Sequence, residues 1–220
     1  VMIATSAMSY LRPTTTPFGA EGTGLTGAGP RGQGGVMPLD AATLSHAQAV
    51  VYRSMAPTPQ YAWPLLAEAI GAEVWVKHEN ATPTGAFKVR GGLVYVDRLV
   101  RERPEVRGIV SATRGNHGQS LAFAGRRHGL PVVIVAPRTN SPEKNASMVG
   151  FGAELILQGE DFQESREHAA LVAGERGYEA VPSYHADLVA GVATYAAELF
   201  GAASDLDAVF VPIGMGSGVN

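Results

Sequence analysis

Short apolar strands alternate with helices along most of this chain, and that alternation constrains the fold more than any other feature. Val132–Ala136 is a continuous apolar run, which is typical of a strand buried on both faces of a parallel sheet. Strands that alternate with helices predict an α/β fold with parallel strands flanked by helices. The predicted strands are Glu73–His78, Gly108–Ala112, Val132–Ala136, Glu154–Leu157 and Ala208–Val211.

Capping residues and helix breakers divide the rest of the chain into helices. Ser141-Pro142-Glu143 predicts a helix start, because serine caps helices and proline fits their first turn. Gly129 predicts a helix end, and Pro131 prevents that helix from resuming. The other predicted helices are Asp40–Met55 with Asp40 as its cap, Leu65–Ile70, Phe87–Arg103, Asn116–His128, Asp161–Arg176 and Leu188–Phe200.

Composition excludes several classes of protein. The 17 basic and 20 acidic residues give a net charge of -3, which is too acidic for a nucleic-acid-binding surface. Without cysteine there is no disulfide, thiolate zinc site or cysteine nucleophile. The apolar stretches are far too short to span a bilayer, and no signal-peptide pattern is visible. We expect a soluble, cytoplasmic protein with neither nucleic acid nor membrane as a partner.

Residues 1–36 differ from the rest of the chain. They hold eight of the 27 glycines and follow neither a helical nor a strand period. A segment of this composition buries little apolar surface. We therefore predict that 1–36 is disordered or a non-native extension, and that the ordered chain begins at Met37.

The stretch from Thr82 to Gly92 places a lysine at the start of a predicted helix. Lys88 follows a glycine-containing loop and stands beside Phe87. The positive end of the helix disfavours an ammonium there, and burial acts in the same direction. A neutral amine is the form that a Schiff base needs, whereas the alternative is a solvated surface lysine. Lys77 is a second candidate amine, but its alternating strand predicts that it points to water.

Two further stretches follow predicted strands. Between Thr113 and His117, the backbone amides, the Thr113 hydroxyl and Asn116 favour binding of a carboxylate, and the alternative is an ordinary turn capped by Asn116. Gly214–Gly218 offers amide donors and the Ser217 hydroxyl, which suit a phosphate. A dinucleotide-binding turn begins similarly, but usually follows the first strand of its unit. No histidine spacing indicates a metal site, and no nucleophile elbow is present, so we predict neither.

Taken in order, the three stretches resemble the serine/threonine dehydratase group of fold-type II pyridoxal-phosphate enzymes. Thr84–Gly91 is similar to that family's cofactor-lysine motif, Gly115–Gln119 to its substrate loop and Pro212–Gly218 to its phosphate loop. The resemblance implies a two-lobed α/β architecture with parallel-rich sheets, incomplete at the C-terminus. The cofactor would lie between the lobes.

The resemblance also places the lobe boundaries and implies an assembly. Residues 37–99 and 183–220 would belong to the larger lobe, and 100–182 would form a smaller lobe inserted between them. The protein would be a homodimer or a homotetramer. Its partner in the reaction would be a small amino-acid substrate.

The same resemblance implies a reaction and roles for the site residues. Lys88 would be catalytic, forming a Schiff base with pyridoxal 5'-phosphate and moving the Cα proton. The reaction would be β-elimination of water from L-threonine or L-serine, giving a 2-oxo acid and ammonia. Cofactor binding is assigned to Phe87, Lys88, Asn116, Gly214, Met215, Gly216, Ser217 and Gly218. Substrate binding is assigned to Thr113, Arg114, Gly115, Asn116 and His117.

Some residues depart from the family pattern and leave the substrate and the reaction open. Arg114 stands where relatives carry a small residue, so racemase activity is not expected and Arg114 is a candidate for recognising an extra anionic group. Hydroxyaspartate or another modified hydroxy amino acid is therefore an alternative substrate. Met215 and Ser217 replace glycines of the commoner phosphate loop. The same fold also allows β-replacement, ammonia release from a diamino acid, or binding of an amino acid without catalysis.

Overall fold

The computed structural model describes residues 2–6, 39–203 and 205–219, which form two four-stranded sheets and seven α-helices. The strands are β1 (Met2–Ser6), β2 (Gln60–Ala62), β3 (Glu73–Lys77), β4 (Ile109–Ala112), β5 (Val132–Ala136), β6 (Glu154–Leu157), β7 (Glu179–Ala180) and β8 (Ala208–Phe210). The helices are α1 (Ala41–Tyr52), α2 (Pro64–Ile70), α3 (Lys88–Glu102), α4 (Asn116–His128), α5 (Pro142–Gly150), α6 (Phe162–Arg176) and α7 (Ala186–Ala202).

One sheet is parallel, as the alternation predicts, with the strand order β6-β5-β4-β7. All five residues of β5 are buried because helices cover both faces of that strand. Ile134 packs with Leu121 of α4 in one core cluster. Val133 packs with Val172 of α6 in another. The prediction of a doubly covered strand is confirmed.

The other sheet has the order β2-β3-β1-β8, and its strand pairs are antiparallel. The expectation of parallel strands is therefore wrong for this sheet. A parallel crossover needs a dozen or more residues, whereas only residues 63–72 separate β2 from β3. The short helix α2 returns the chain for antiparallel pairing instead.

Strand β1 lies within residues 1–36, whose composition predicts no regular structure. Met2–Ser6 pairs with β3 on one side and with β8 on the other. Backbone groups make the hydrogen bonds of such a ladder, so the composition of the segment does not reveal the pairing. The prediction is wrong for these five residues. The rest of 1–36 lies outside the described residues.

Capping residues begin and end these helices where the sequence predicts. Asp40 Oδ1 accepts a hydrogen bond from the Thr43 amide at 2.7 Å, and Ser141 Oγ accepts one from the Lys144 amide at 3.4 Å. Gly129 closes α4 in the left-handed conformation, with φ of 65°. These contacts satisfy backbone groups that a helix end leaves unpaired.

Helix α3 is the central helix and packs against α1, α4 and α7. Gly91 allows α7 to approach closely, because a Cβ atom there would lie 2.6 Å from the carbonyl oxygen of Leu188. This packing fixes the position of the first turn of α3, where Lys88 lies. No helix in the described ranges is both long and apolar enough to cross a membrane.

Candidate active site

A cavity of about 330 Å³ lies at the start of α3. All three stretches singled out in the sequence contribute to its wall. The structure therefore brings together segments that are far apart along the chain. The lining residues are Glu79, Asn80, Gly85, Ala86, Phe87, Lys88, Asn116, Pro212, Ile213 and Gly214, of which Glu79 and Asn80 lie outside those stretches.

Lys88 joins the first stretch to the third. Its Nζ donates a hydrogen bond to Ser217 Oγ at 2.8 Å. The side chain is half-buried, and burial lowers the pKa of its ammonium below the ordinary lysine value. The positive end of α3 acts in the same direction. Both effects favour the neutral amine that a covalent reaction with an aldehyde requires.

An aromatic pair supports the glycine-rich loop that faces Lys88. The Tyr195 hydroxyl donates a hydrogen bond to the Gly218 carbonyl, and the Tyr195 ring lies 5.9 Å from the Phe87 ring, centroid to centroid. Tyr195 is not among the predicted site residues, because nothing in its helical spacing distinguishes it from core. Met215, predicted to bind cofactor, is 63% exposed and is not part of the cavity wall.

The loop after β4 has a polar interior. Thr113 Oγ1 accepts a hydrogen bond from the Gly115 amide at 3.2 Å, and Asn116 begins α4 at the cavity wall. Arg114 is exposed. His117 is buried, and neither of its ring nitrogens has a hydrogen-bond partner of standard geometry in the described structure. A buried polar group without a partner next to a cavity is one that a bound ligand can satisfy.

Burial keeps His117 neutral. It lowers the pKa of the imidazole to about 4, and the positive charge of Lys88 adds to the shift. The Pro182 carbonyl raises the pKa of His117, but by less than burial lowers it. His117 therefore presents one donor and one acceptor nitrogen at neutral pH.

The lowered pKa of His117 predicts that the folded protein loses stability as the pH falls. Between about pH 6.5 and pH 4 the unfolded His117 binds a proton and the folded one does not, so stability is lost as pH falls through that window. The contribution is up to roughly 3 kcal/mol. Urea unfolding at pH 7 and pH 4.5 should show a smaller acid-induced loss in His117→Gln than in the wild type. Arg166→Ala, an exposed control, should match the wild type, and equal losses in all three proteins would contradict the prediction.

Lys77 is completely buried, so the prediction that it points to water is wrong. The alternation along β3 correctly places Val74 and Val76 in the core. Glu198 of α7 forms an ion pair with Lys77, since its carboxylate lies 2.7 Å from Lys77 Nζ. Lys77 Nζ also donates to the Thr58 carbonyl at 3.2 Å.

Lys77 belongs to a buried charge cluster that the sequence did not reveal. Arg90 is fully buried and binds Glu79 at 2.8 Å and Glu198 at 2.6 Å. Burial alone would raise the pKa of Glu198, but hydrogen bonds from Arg90 and Lys77 lower it below its usual value. The cluster thus pairs two cations, Lys77 and Arg90, with two anions, Glu79 and Glu198. It lies between α3, α7 and the cavity wall. Charged side chains are usually solvated, so nothing in the sequence distinguishes this buried cluster from charges on the surface.

Pyridoxal phosphate fits the residues of the cavity. The volume is in the range of small-molecule sites, and Lys88 supplies a half-buried amine. A Cβ atom on Gly214 would have nothing within 4 Å, so the loop leaves open space beside its backbone. His117, next in the sequence to the cavity-lining Asn116, is buried, and its ring nitrogens have no hydrogen-bond partner of standard geometry in the described structure. The described residues contain no cluster of three or more histidine, aspartate or glutamate side chains able to hold a metal ion.

The sheets, the lysine at the start of α3 and the facing glycine-rich loop define an α/β protein of the fold-type II pyridoxal-phosphate class. A solved pyridoxal 5'-phosphate-dependent aspartate racemase superimposes with a TM-score of 0.74 and 29% identity, over 79% of this chain and 54% of that one. Residues 51–220 match the family described as pyridoxal-phosphate dependent enzyme. The chain belongs to that family, which confirms the resemblance drawn from its motifs.

Two curated relatives are similar over most of this chain. L-Threonine dehydratase biosynthetic IlvA of Salmonella typhimurium is 35% identical over 170 residues, which are 77% of this chain and 33% of that protein. L-threo-3-hydroxyaspartate ammonia-lyase of Saccharomyces cerevisiae is 34% identical over 160 residues, 72% of this chain and 49% of that protein. The chain therefore spans about a third to a half of the length of these relatives.

Proposed function

We propose that this chain is part of a pyridoxal-phosphate-dependent dehydratase that eliminates water from L-threonine or L-serine. The observation that carries the proposal is the 2.8 Å hydrogen bond from Lys88 to Ser217, which joins the lysine motif to the glycine-rich loop across one cavity. The names of the relatives support the reaction class, since one is a dehydratase of threonine and the other an ammonia-lyase of hydroxyaspartate.

We divide the residues of the cavity wall and its adjoining loops into those that would hold the cofactor and those that would hold the substrate. Lys88 would attach the cofactor, and Phe87 and Asn116, which line the same cavity, would help to hold it. Gly214–Gly218, including Met215, Gly216 and Ser217, would bind its phosphate through backbone amides and the Ser217 hydroxyl. When bound, pyridoxal phosphate supplies an electron sink for the negative charge that develops at the substrate Cα.

Residues of the chain would orient the substrate and move its protons. Thr113, Gly115, Asn116 and His117 would bind the α-carboxylate at the positive end of α4. Lys88 Nζ would take the Cα proton, and the Cβ–O bond would break so that the hydroxyl leaves, with a proton, as water. The released enamine then takes up one water, so threonine gives 2-oxobutanoate and ammonium.

The lobes, the assembly and the compartment belong to the same proposal. The proposed smaller lobe, residues 100–182, would contain the parallel sheet, and the proposed larger lobe, 37–99 and 183–220, would contain β2, β3 and β8 of the second sheet. We propose a cytoplasmic homodimer or homotetramer. Support for an interface comes from the apolar side chains exposed along β2, α2 and the residue between them, which include Tyr61, Trp63 and Leu65.

Product analysis of the full-length protein tests the reaction. Loaded with pyridoxal phosphate and given L-threonine, it should release 2-oxobutanoate and ammonium in equal amounts. L-Serine should give pyruvate and ammonium. A folded, cofactor-loaded protein that binds these amino acids without forming products would favour the non-catalytic relative and overturn the proposal.

A further inference from the structure

Two neighbouring residues of the glycine-rich loop each contact one residue at the start of α3. Ser217 Oγ accepts a hydrogen bond from Lys88 Nζ at 2.8 Å. Gly218 lies against the Phe87 ring, because a Cβ atom on Gly218 would be 3.3 Å from Phe87 Cζ. The first part of the loop, residues 212–215, is exposed. The position of the loop beside the cavity therefore depends on contacts made by its second part.

Tyr195 of α7, which is not part of the cavity wall, contacts the loop at Gly218. Its hydroxyl donates a hydrogen bond to the Gly218 carbonyl, and its ring packs with Phe87 and Val211. Because the side chain is buried, its hydroxyl needs a partner within the protein. One side chain thus contacts both the loop and the residue that precedes Lys88.

Helix α7 holds Tyr195 in a fixed place. Thr194, the preceding residue, accepts a hydrogen bond from the fully buried Arg90 at 3.0 Å. Glu198, about one turn further on, binds Arg90 at 2.6 Å. The buried charge cluster therefore ties α7 to α3 at positions before and after Tyr195. Burial raises the pKa of Tyr195 to about 12, and the charge of Glu79 adds to the shift, so the hydroxyl remains a donor at neutral pH.

The hydrogen bond from Tyr195 differs from the one that Lys88 makes in its relation to the reaction. Attachment of the cofactor would use the Lys88 nitrogen, which is the donor to Ser217. No atom of Tyr195 or of the Gly218 carbonyl takes part in the proposed reaction. The hydrogen bond from Tyr195 is therefore available to position the loop both before and after the cofactor is attached.

We propose that Tyr195 is a positioning residue, which holds the glycine-rich loop in the geometry that binds the phosphate of the cofactor. This inference rests on the proposed function, because it concerns the phosphate that Gly214–Gly218 would bind. A loop that is already ordered loses less conformational entropy when it binds its ligand, so a contact that orders it raises the affinity. Tyr195 would set the affinity for the phosphate group and not the chemistry at Lys88.

The test measures the binding of pyridoxal phosphate and of pyridoxal to the full-length protein without cofactor, by isothermal titration calorimetry. Tyr195→Phe removes the hydroxyl and keeps the ring beside Phe87. It should weaken pyridoxal phosphate by about three- to tenfold, which is the contribution of one hydrogen bond. Pyridoxal has no phosphate, so its affinity should stay within about twofold of the wild-type value.

Tyr95→Phe is the matched control. Tyr95 is also a buried tyrosine of a helix, but it packs beside His185 at a different cavity. Its replacement should leave the affinities for both ligands unchanged. Tyr195→Leu removes the ring as well as the hydroxyl and should weaken pyridoxal phosphate more than Tyr195→Phe does. Urea unfolding of each variant measures any effect on global stability separately.

The outcomes separate positioning of the loop from a merely structural role. A Tyr195→Phe protein with a lower free energy of unfolding but wild-type affinity for pyridoxal phosphate would overturn the inference and leave the dehydratase proposal intact. Equal weakening of pyridoxal and pyridoxal phosphate would overturn it as well, because the effect would not concern the phosphate. A protein whose affinity for pyridoxal phosphate depends on Tyr195 as expected, but which forms no 2-oxo acid, would instead overturn the proposed reaction alone.

Discussion

Lys88→Ala is expected to lower kcat for L-threonine by at least about 10³-fold, because it removes both the covalent attachment point and the group that moves the Cα proton. Lys88 Nζ is half-buried, lies 2.8 Å from Ser217 Oγ and has a lowered pKa. Borohydride reduction of the cofactor-loaded wild type, followed by peptide mapping, should place the cofactor on the peptide that contains Lys88.

The control for this prediction is Arg166→Ala, which removes a cation outside the cavity wall. It should keep wild-type kcat and wild-type borohydride labelling. Lys88→Ala should bind pyridoxal phosphate only reversibly, with no label after reduction. Turnover in Lys88→Ala at the wild-type rate, or labelling of Lys77 or Lys144 in the wild type, would refute the role assigned to Lys88.

Arg90→Met is expected to lower the free energy of unfolding by about 3–5 kcal/mol, because it leaves two buried carboxylates without their shared cation. Arg90 is fully buried and binds both Glu79 and Glu198. The loss exceeds that of a surface ion pair, whose contribution is about 0–1 kcal/mol. Chemical denaturation of the full-length protein measures it.

Arg98→Met is a matched control in the same helix. Arg98 forms ion pairs at 2.8 Å with Glu102 and with Asp187, but its own side chain is 48% exposed. Its replacement should cost less than about 1 kcal/mol. Equal losses of unfolding free energy in Arg90→Met and Arg98→Met would contradict the prediction that burial sets the contribution of the Arg90 ion pairs to stability.

Local signals in the sequence predicted much of the fold. Asp40 and Ser141 begin helices and Gly129 ends one, each through contacts within a few residues, so their effects can be predicted without tertiary structure. The apolar run of β5 reports burial on both faces. The lysine and glycine-rich motifs were predictable for the same reason, since each is a short segment next to a strand or helix end.

What remained hidden depends on contacts between distant segments. Lys77 is buried because Glu198 of α7 neutralises it, and no pattern within β3 reports that partner. Tyr195 reaches the glycine-rich loop only through the packing of α7. Strand β1 pairs through backbone groups with strands far along the chain. Such pairings are set by tertiary structure, so composition and periodicity do not encode them locally.

The visible absorption spectrum of the full-length protein with pyridoxal phosphate tests the central claim most directly. We predict a band from cofactor bound covalently at Lys88, which shifts when L-threonine or L-serine is added and is absent from Lys88→Ala. A folded protein that shows no band, or a band that no hydroxy amino acid alters, would contradict the account.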